Sequence, residues 1–224
     1  MSKKQTISIV MMGGAGAVGS EAIKALLPFP NFRKLTLLGR RPVTDVSDKR
    51  IQQHNIDIHQ PSSYAELAKG HSTAICTLGV GEPSKISKDD FLKIDKTAVI
   101  NFAKVSKEAG IKHFELLASV GISAKSSSFY LRTKGELLEE LKDLNFDRLS
   151  IFMPSMILTP TNRYGFAQGL TLTVWPVLDK IFLGSAKKYK GIRVNELGKA
   201  MAANIFVDKT GYEELTWEDF QKLN

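Results

Sequence analysis

The chain has 224 residues, 43% apolar and 24% charged, an ordinary globular composition able to bury a full core as one domain with a small appendage. No run of about 18 uncharged apolar residues is present, which argues against an integral membrane span, and the single cysteine, Cys76, excludes an internal disulfide and a thiolate zinc cluster. The formal charge is +8, yet the basic residues are scattered; without a recognition helix or a basic strand interleaved with aromatics, no nucleic-acid partner is expected.

The opening "MSKKQTISIV" passes from polar residues straight into a strand, leaving no room for an apolar signal core. With the lone cysteine, this gives a cytoplasmic expectation. Ile7 to Met12 reads as the first strand and Gly16 to Leu27 as a helix stopped by Pro28 and Pro30. Lys34 to Leu38 is the second strand, followed by a weak strand near Asn55 to His59 and a short helix around Tyr64 to Lys69. Ser72 to Leu78 is a buried strand. A long helix follows Ser87, with Phe91, Ile94, Ala98, Phe102 and Val105 on one face, and ends at Gly110. Lys112 to Ser119 is a strand, Ser128 to about Leu144 a helix, and Arg148 to Met153 a last strand.

This alternation predicts an α/β fold, a doubly wound parallel sheet covered by helices on both faces. Beyond Pro154 the rhythm breaks. Apart from a helix in "NELGKAMAANIF", residues 155–224 are expected to add a small cap over the carboxyl edge of the sheet, within one domain spanning 1–224. The stretch "FAQGLTLTVWPVLDKIFL" is interrupted by Pro176, Asp179 and Lys180, so it reads as a pocket lid rather than as a membrane or partner helix.

"MMGGAGAVGS" places Gly13, Gly16 and Gly19, with Ala17 and Val18 between the last two, directly after the first strand and at the opening of the first helix. A phosphate settles against helix N-terminal amides only where no side chain blocks its approach, so this strand, loop and helix order predicts dinucleotide binding. No Lys-Ser/Thr pair closes the loop, which disfavours an ATP-type phosphate loop. After the second strand come Arg40 and Arg41, where a dinucleotide fold often carries an acid for the ribose hydroxyl. Two guanidinium forks suit a 2′-phosphate, so NADP(H) is expected over NAD; the plainer reading is a pair of exposed loop arginines.

Tyr130 and Lys134 stand one helical turn apart. Five tyrosines and 31 Lys plus Arg give roughly 0.7 such matches by chance, and Tyr189 with Arg193 is one decoy. Context favours Tyr130. Its face continues through Leu137, Leu141 and Leu144, an apolar stripe that must meet the sheet, and an inward lysine with no obvious structural partner is costly unless it has a function. The alternative is a lysine that snorkels along the surface. A free tyrosine titrates near 10, and working near neutrality takes roughly 4 kcal/mol of preferential phenolate stabilisation, which a neighbouring ammonium and a positive ring can supply. Ser119, just beyond the carboxyl end of the fifth strand, is placed to hold a carbonyl oxygen beside Tyr130, with Ser123 as a second candidate or a plain loop serine. His54, His59, His71 and His113 show no metal spacing, and no Ser-His-Asp set is expected.

In this order the glycine loop, Arg40, "CTLG", Ser119, and Tyr130 with Lys134 resemble the atypical branch of the short-chain dehydrogenase/reductase superfamily, a Rossmann fold. "AICTLGVGEPSK", "GIKHFELLASVGISAKSSSFYLRTKGELLEEL" and "FDRLSIFMPSMIL" are more closely similar to its Tat-interacting oxidoreductase-like group. The resemblance implies that Leu78 and Gly79 line the coenzyme, that Ser119, Tyr130 and Lys134 form the triad, and that Pro154, Ser155, Met156 and Ile157 lie beside the nicotinamide. Where many relatives carry an asparagine for a proton-relay water, this chain has Asp95. The expected activity is NADPH-dependent reduction of a small carbonyl substrate. The alternative is a non-catalytic NADP(H)-binding regulator acting through a protein partner, and the long helix after Ser87 is a candidate homodimer contact.

Overall fold

The computed structural model describes residues 6–159 and 182–224. Seven parallel strands form one sheet: β1 (Ile7–Met12), β2 (Phe32–Gly39), β3 (Ile51–Asn55), β4 (Thr73–Cys76), β5 (His113–Leu117), β6 (Arg148–Phe152) and β9 (Gly211–Leu215), in the order β3-β2-β1-β4-β5-β6-β9. Because successive side chains point to opposite faces, β1 sends Val10 and Met12 into one core and Ile9 and Met11 into the other, all four fully buried. A central strand apolar on both faces needs cover on both faces, and the helices divide accordingly.

On the first face lie α2 (Ala65–Ala68), α4 (Val99–Glu108) and α5 (Phe129–Asp143), with Phe102, Leu137 and Leu141 packed around Phe114 of β5. On the second lie α1 (Ala17–Leu26), α6 (Val194–Asn204) and α7 (Trp217–Leu223), with Ile23, Leu26, Leu197, Met201 and Phe220 against Ile9, Met11 and Phe152. The doubly wound parallel sheet is therefore as expected.

The weak strand expected at Asn55 to His59 lies instead at Ile51–Asn55, an edge position pairing with Leu35 to Gly39. Ile56 and Ile58, within the expected segment, are buried by loop packing against the first core. The long helix after Ser87 is broken into α3 (Lys88–Leu92), a π-helical segment (Lys93–Ala98) and α4. The wider turn shifts the buried face by one position: Ile94 is half-buried while Asp95 is 1% exposed.

Residues 211–223 were expected in the cap, but they form β9 and α7, the seventh strand and a helix of the second face. Met156–Leu158 forms β7, paired in parallel with β8 (Gly191–Arg193). Most of the lid stretch, together with any cap over 160–181, lies outside the described residues.

Candidate functional site

The order of the sheet reverses between β1 and β4, the position at which open α/β sheets bind ligands beyond the carboxyl ends of their strands. A cleft of about 550 Å³ opens there, lined by the Gly13 to Ala17 loop, Gly39 to Val43, the end of β3, and Thr77 to Gly79. Gly13 adopts φ +96°, and a Cβ on it would fall 2.5 Å from the Leu78 amide nitrogen. A Cβ on Gly19 would fall 2.5 Å from the Gly13 carbonyl oxygen and 2.8 Å from Thr77 Oγ1. Thr77 Oγ1 donates to that same carbonyl at 3.0 Å. This threonine, unremarked in the sequence within "CTLG", ties the glycine loop to the end of β4.

Ala17 lines the cleft, whereas Val18 is turned into the second core and Gly19 is buried at the contact with strand and loop. Gly16 takes an extended conformation immediately before α1 and bonds back to Gly13 O at 3.0 Å. Arg40 and Arg41 are exposed at the opposite wall. The glycine cradle, the first turn of α1 and the two guanidinium groups suit the phosphates and ribose of a dinucleotide, with no side chain in the way.

The residues expected to do chemistry, Ser119, Tyr130 and Lys134, are not among those lining this cleft. The carboxyl end of β5 is bracketed by two backbone bonds to the β6 extension, Ala118 N to Phe152 O at 2.8 Å and Val120 N to Pro154 O at 3.0 Å. Between them, Ser119 Oγ is enclosed and has no hydrogen-bond partner among the described residues. These bonds set the 154–157 turn against Ser119; Pro154 is buried, Ser155 half-buried, and Met156 and Ile157 belong to β7. Ser123 is exposed and its Oγ accepts from Lys125 N at 3.2 Å, so it serves a loop turn.

On α5, Tyr130 is half-buried with its ring 5.5 Å from that of Phe91. Lys134 is 6% exposed and turned inward, as the stripe predicts. It is not without a structural partner, contrary to the sequence expectation: its ammonium pairs with Asp95 Oδ1 at 2.7 Å. Asp95 Oδ2 also accepts from Val80 N at 2.8 Å. The decoy pair divides between elements, Tyr189 at the end of a 3₁₀ turn and Arg193 in β8.

A second polar cluster lies on the other face of the sheet. Arg148 donates to Glu213 Oε1 at 2.8 Å and to Asn204 Oδ1 at 2.7 Å, and Asn204 donates to Glu115 Oε1 at 2.8 Å. Here His113 Nε2 meets Ser150 Oγ at 2.9 Å. Ser150 is fully buried and its hydroxyl is committed to Glu213 at 2.6 Å, so the set is structural. Burial holds His113 at about 3 and pushes Glu115 up to about 8, although the Asn204 hydrogen bond opposes the latter. Among the described residues there is no group of three or more His, Cys, Asp or Glu able to hold a metal.

A family model described as NAD(P)H-binding matches residues 13–166, from the glycine loop past the β6 turn. The chain belongs to this family. Within it, the chain is 35% identical over 158 residues to protein HTATIP2 of Rattus norvegicus, covering 70% of this chain and 65% of the rat protein. The match thus spans slightly less than two thirds of that relative. It is also 31% identical to the mitochondrial protein FMP52-1 of Scheffersomyces stipitis, covering 68% of each. Among solved structures, the Bordetella bronchiseptica enzyme WbmH in complex with NAD⁺ superposes with a TM-score of 0.70 at 12% identity, covering 95% of this chain and 76% of that one, a likeness of fold. The cytoplasmic expectation is overturned, because the fungal family members are named as mitochondrial proteins. A lone cysteine does not distinguish two reducing compartments.

Proposed function

We propose that this member of the NAD(P)H-binding family is an NADPH-dependent reductase of a small carbonyl compound, working in the mitochondrion, with Ser119, Tyr130 and Lys134 as its catalytic residues. The observation that carries the reading is Ser119 Oγ, enclosed and unpartnered at the carboxyl end of β5. An orphaned buried hydroxyl costs about 1–3 kcal/mol, which a substrate oxygen recovers on binding.

Gly13, Gly16, Ala17 and Gly19 would hold the pyrophosphate against α1, with Val18 fixing the helix to the core. Arg40 and Arg41 would hold the 2′-phosphate, and Leu78, Gly79 and the Pro154 to Ile157 turn would line the nicotinamide half. When bound, the reduced nicotinamide supplies a hydride to the carbonyl carbon. Ser119 donates a hydrogen bond to the carbonyl oxygen and fixes its direction. Tyr130 gives that oxygen its proton as negative charge builds, completing the alcohol. The phenolate left behind is stabilised by the Lys134 ammonium one turn along α5, and solvent returns the proton.

Oxidation of NADPH by a panel of aldehydes and ketones tests this reading. Ser119→Ala should lower turnover by roughly 10²-fold with little change in coenzyme affinity; undiminished turnover would remove Ser119 from the reaction. Replacing Arg40 and Arg41 together by alanine should weaken NADPH by about tenfold or more, since each guanidinium to phosphate bond is charge-assisted, and leave NADH unchanged.

A further inference from the structure

The buried ion pair between Lys134 and Asp95 lies behind Gly79, a residue of the cleft wall. A Cβ on Gly79, a cleft-lining residue, would stand 3.2 Å from Asp95 Oδ1 and 3.8 Å from Lys134 Nζ, so only the backbone of Gly79 separates the pair from the cavity. Asp95 reaches this place because the π-helical segment Lys93–Ala98 widens the helix at that point, a distortion found often at functional sites. Its two oxygens divide their work: one takes the ammonium of α5 and the other the Val80 amide of the loop after β4.

Among the described residues, Asp95 is the acid paired with the ammonium. Cys76 of β4 lies beneath the pair, and burial pushes its thiol up to about 12, so it stays neutral. Lys96, one residue along the π segment, is held by Glu136 at 2.8 Å and Glu140 at 3.1 Å on the outer side of α5.

We propose that Asp95 is a positioning residue of the site, anchoring the Lys134 ammonium to the wall of the cleft and cancelling its charge toward the coenzyme ring. The inference rests on the reductase reading for its catalytic consequence, but not for its electrostatic one. A lysine left unbalanced there would repel the positively charged oxidised ring and spare the neutral reduced one. The carboxylate removes that discrimination and lets the oxidised product bind and leave without a penalty set by Lys134.

Asp95→Asn keeps an acceptor for Val80 N and deletes only the charge. Titration of the purified protein with NADP⁺ and with NADPH should show NADP⁺ weakened by at least about tenfold relative to NADPH, the size of one uncancelled charge about 12 Å from the ring at an effective dielectric near 20. Asp95→Glu, which keeps the charge but lengthens the arm, should leave that ratio within about twofold of the wild type while lowering turnover, because the ammonium is displaced from Tyr130. It also serves if the asparagine variant does not fold. Equal weakening of both coenzymes by Asp95→Asn, or a ratio changed by Asp95→Glu, would overturn the proposal and leave Asp95 a structural ion-pair partner. A wild-type protein without Tyr130-dependent turnover would instead overturn the reductase reading, with the binding ratio still deciding the role of Asp95.

Discussion

At the scale of single residues, the energetics turn on buried charge. Lys134 and Asp95 are 6% and 1% exposed, and a buried pair costs desolvation that only good geometry returns. Breaking it is worse. Lys134→Met should lose about 3–5 kcal/mol by leaving a carboxylate uncompensated, whereas adding Asp95→Asn should recover most of that loss, as thermal melts of the single and double variants would show. Glu115 behaves differently. Its folded value, raised to about 8 from 4.5, means that the folded protein binds the extra proton, so its contribution to stability is fully present below pH 4.5 and is lost as pH rises through 8. Glu115→Gln, which keeps an acceptor for Asn204, should therefore melt above the wild type at pH 9 by about 5–10 °C more than at pH 6. A gap that does not widen with pH would place the burden elsewhere, on Arg148 and Glu213.

At the scale of elements, the strand, glycine loop and helix of the coenzyme cradle act as one unit. Gly19→Ala would press a methyl group onto the Gly13 carbonyl and Thr77 Oγ1, forcing α1 away from the loop. NADPH affinity should fall at least about tenfold, with a lower melting temperature, measurable by fluorescence titration and calorimetry. This unit was readable in the sequence because its glycines, its apolar strand and its amphipathic helix are all local signals. Other elements were not. The edge strands "IQQHN" and "GYEEL" present polar residues to solvent and carry no apolar alternation, and β9 joins the sheet beside Arg148 and Ser150 of β6, which are far away in sequence. The π turn was hidden for a related reason: a period of 3.6 puts Ile94 with Phe91, and only the tertiary pull of Lys134 and Val80 accounts for turning Asp95 inward instead. Tyr130 and Lys134 were legible as neighbours, but the partner that balances Lys134 was not, since it comes from another helix.

At the scale of the whole molecule, the sheet sets the chemistry by bringing the ends of β1, β2 and β4 together around the switch point and those of β5 and β6 alongside β4. The first group builds the coenzyme cleft and the second carries Ser119 and the 154–157 turn. Binding there should stabilise the entire fold. NADPH at 100 times its dissociation constant should add about 2.7 kcal/mol, raising the melting temperature by roughly 5–10 °C, with a smaller rise for NADH at the same concentration. Equal shifts by both coenzymes would remove Arg40 and Arg41 from recognition of a 2′-phosphate. The most direct test of the account as a whole is single-turnover oxidation of bound NADPH by an aldehyde and ketone panel, comparing the wild type with Tyr130→Phe. The account predicts measurable oxidation by at least one carbonyl compound, slowed by about 10²–10⁴-fold in the phenylalanine variant at unchanged NADPH affinity. Oxidation at the same rate in both proteins, or tight coenzyme binding with no carbonyl-dependent oxidation in either, would contradict it.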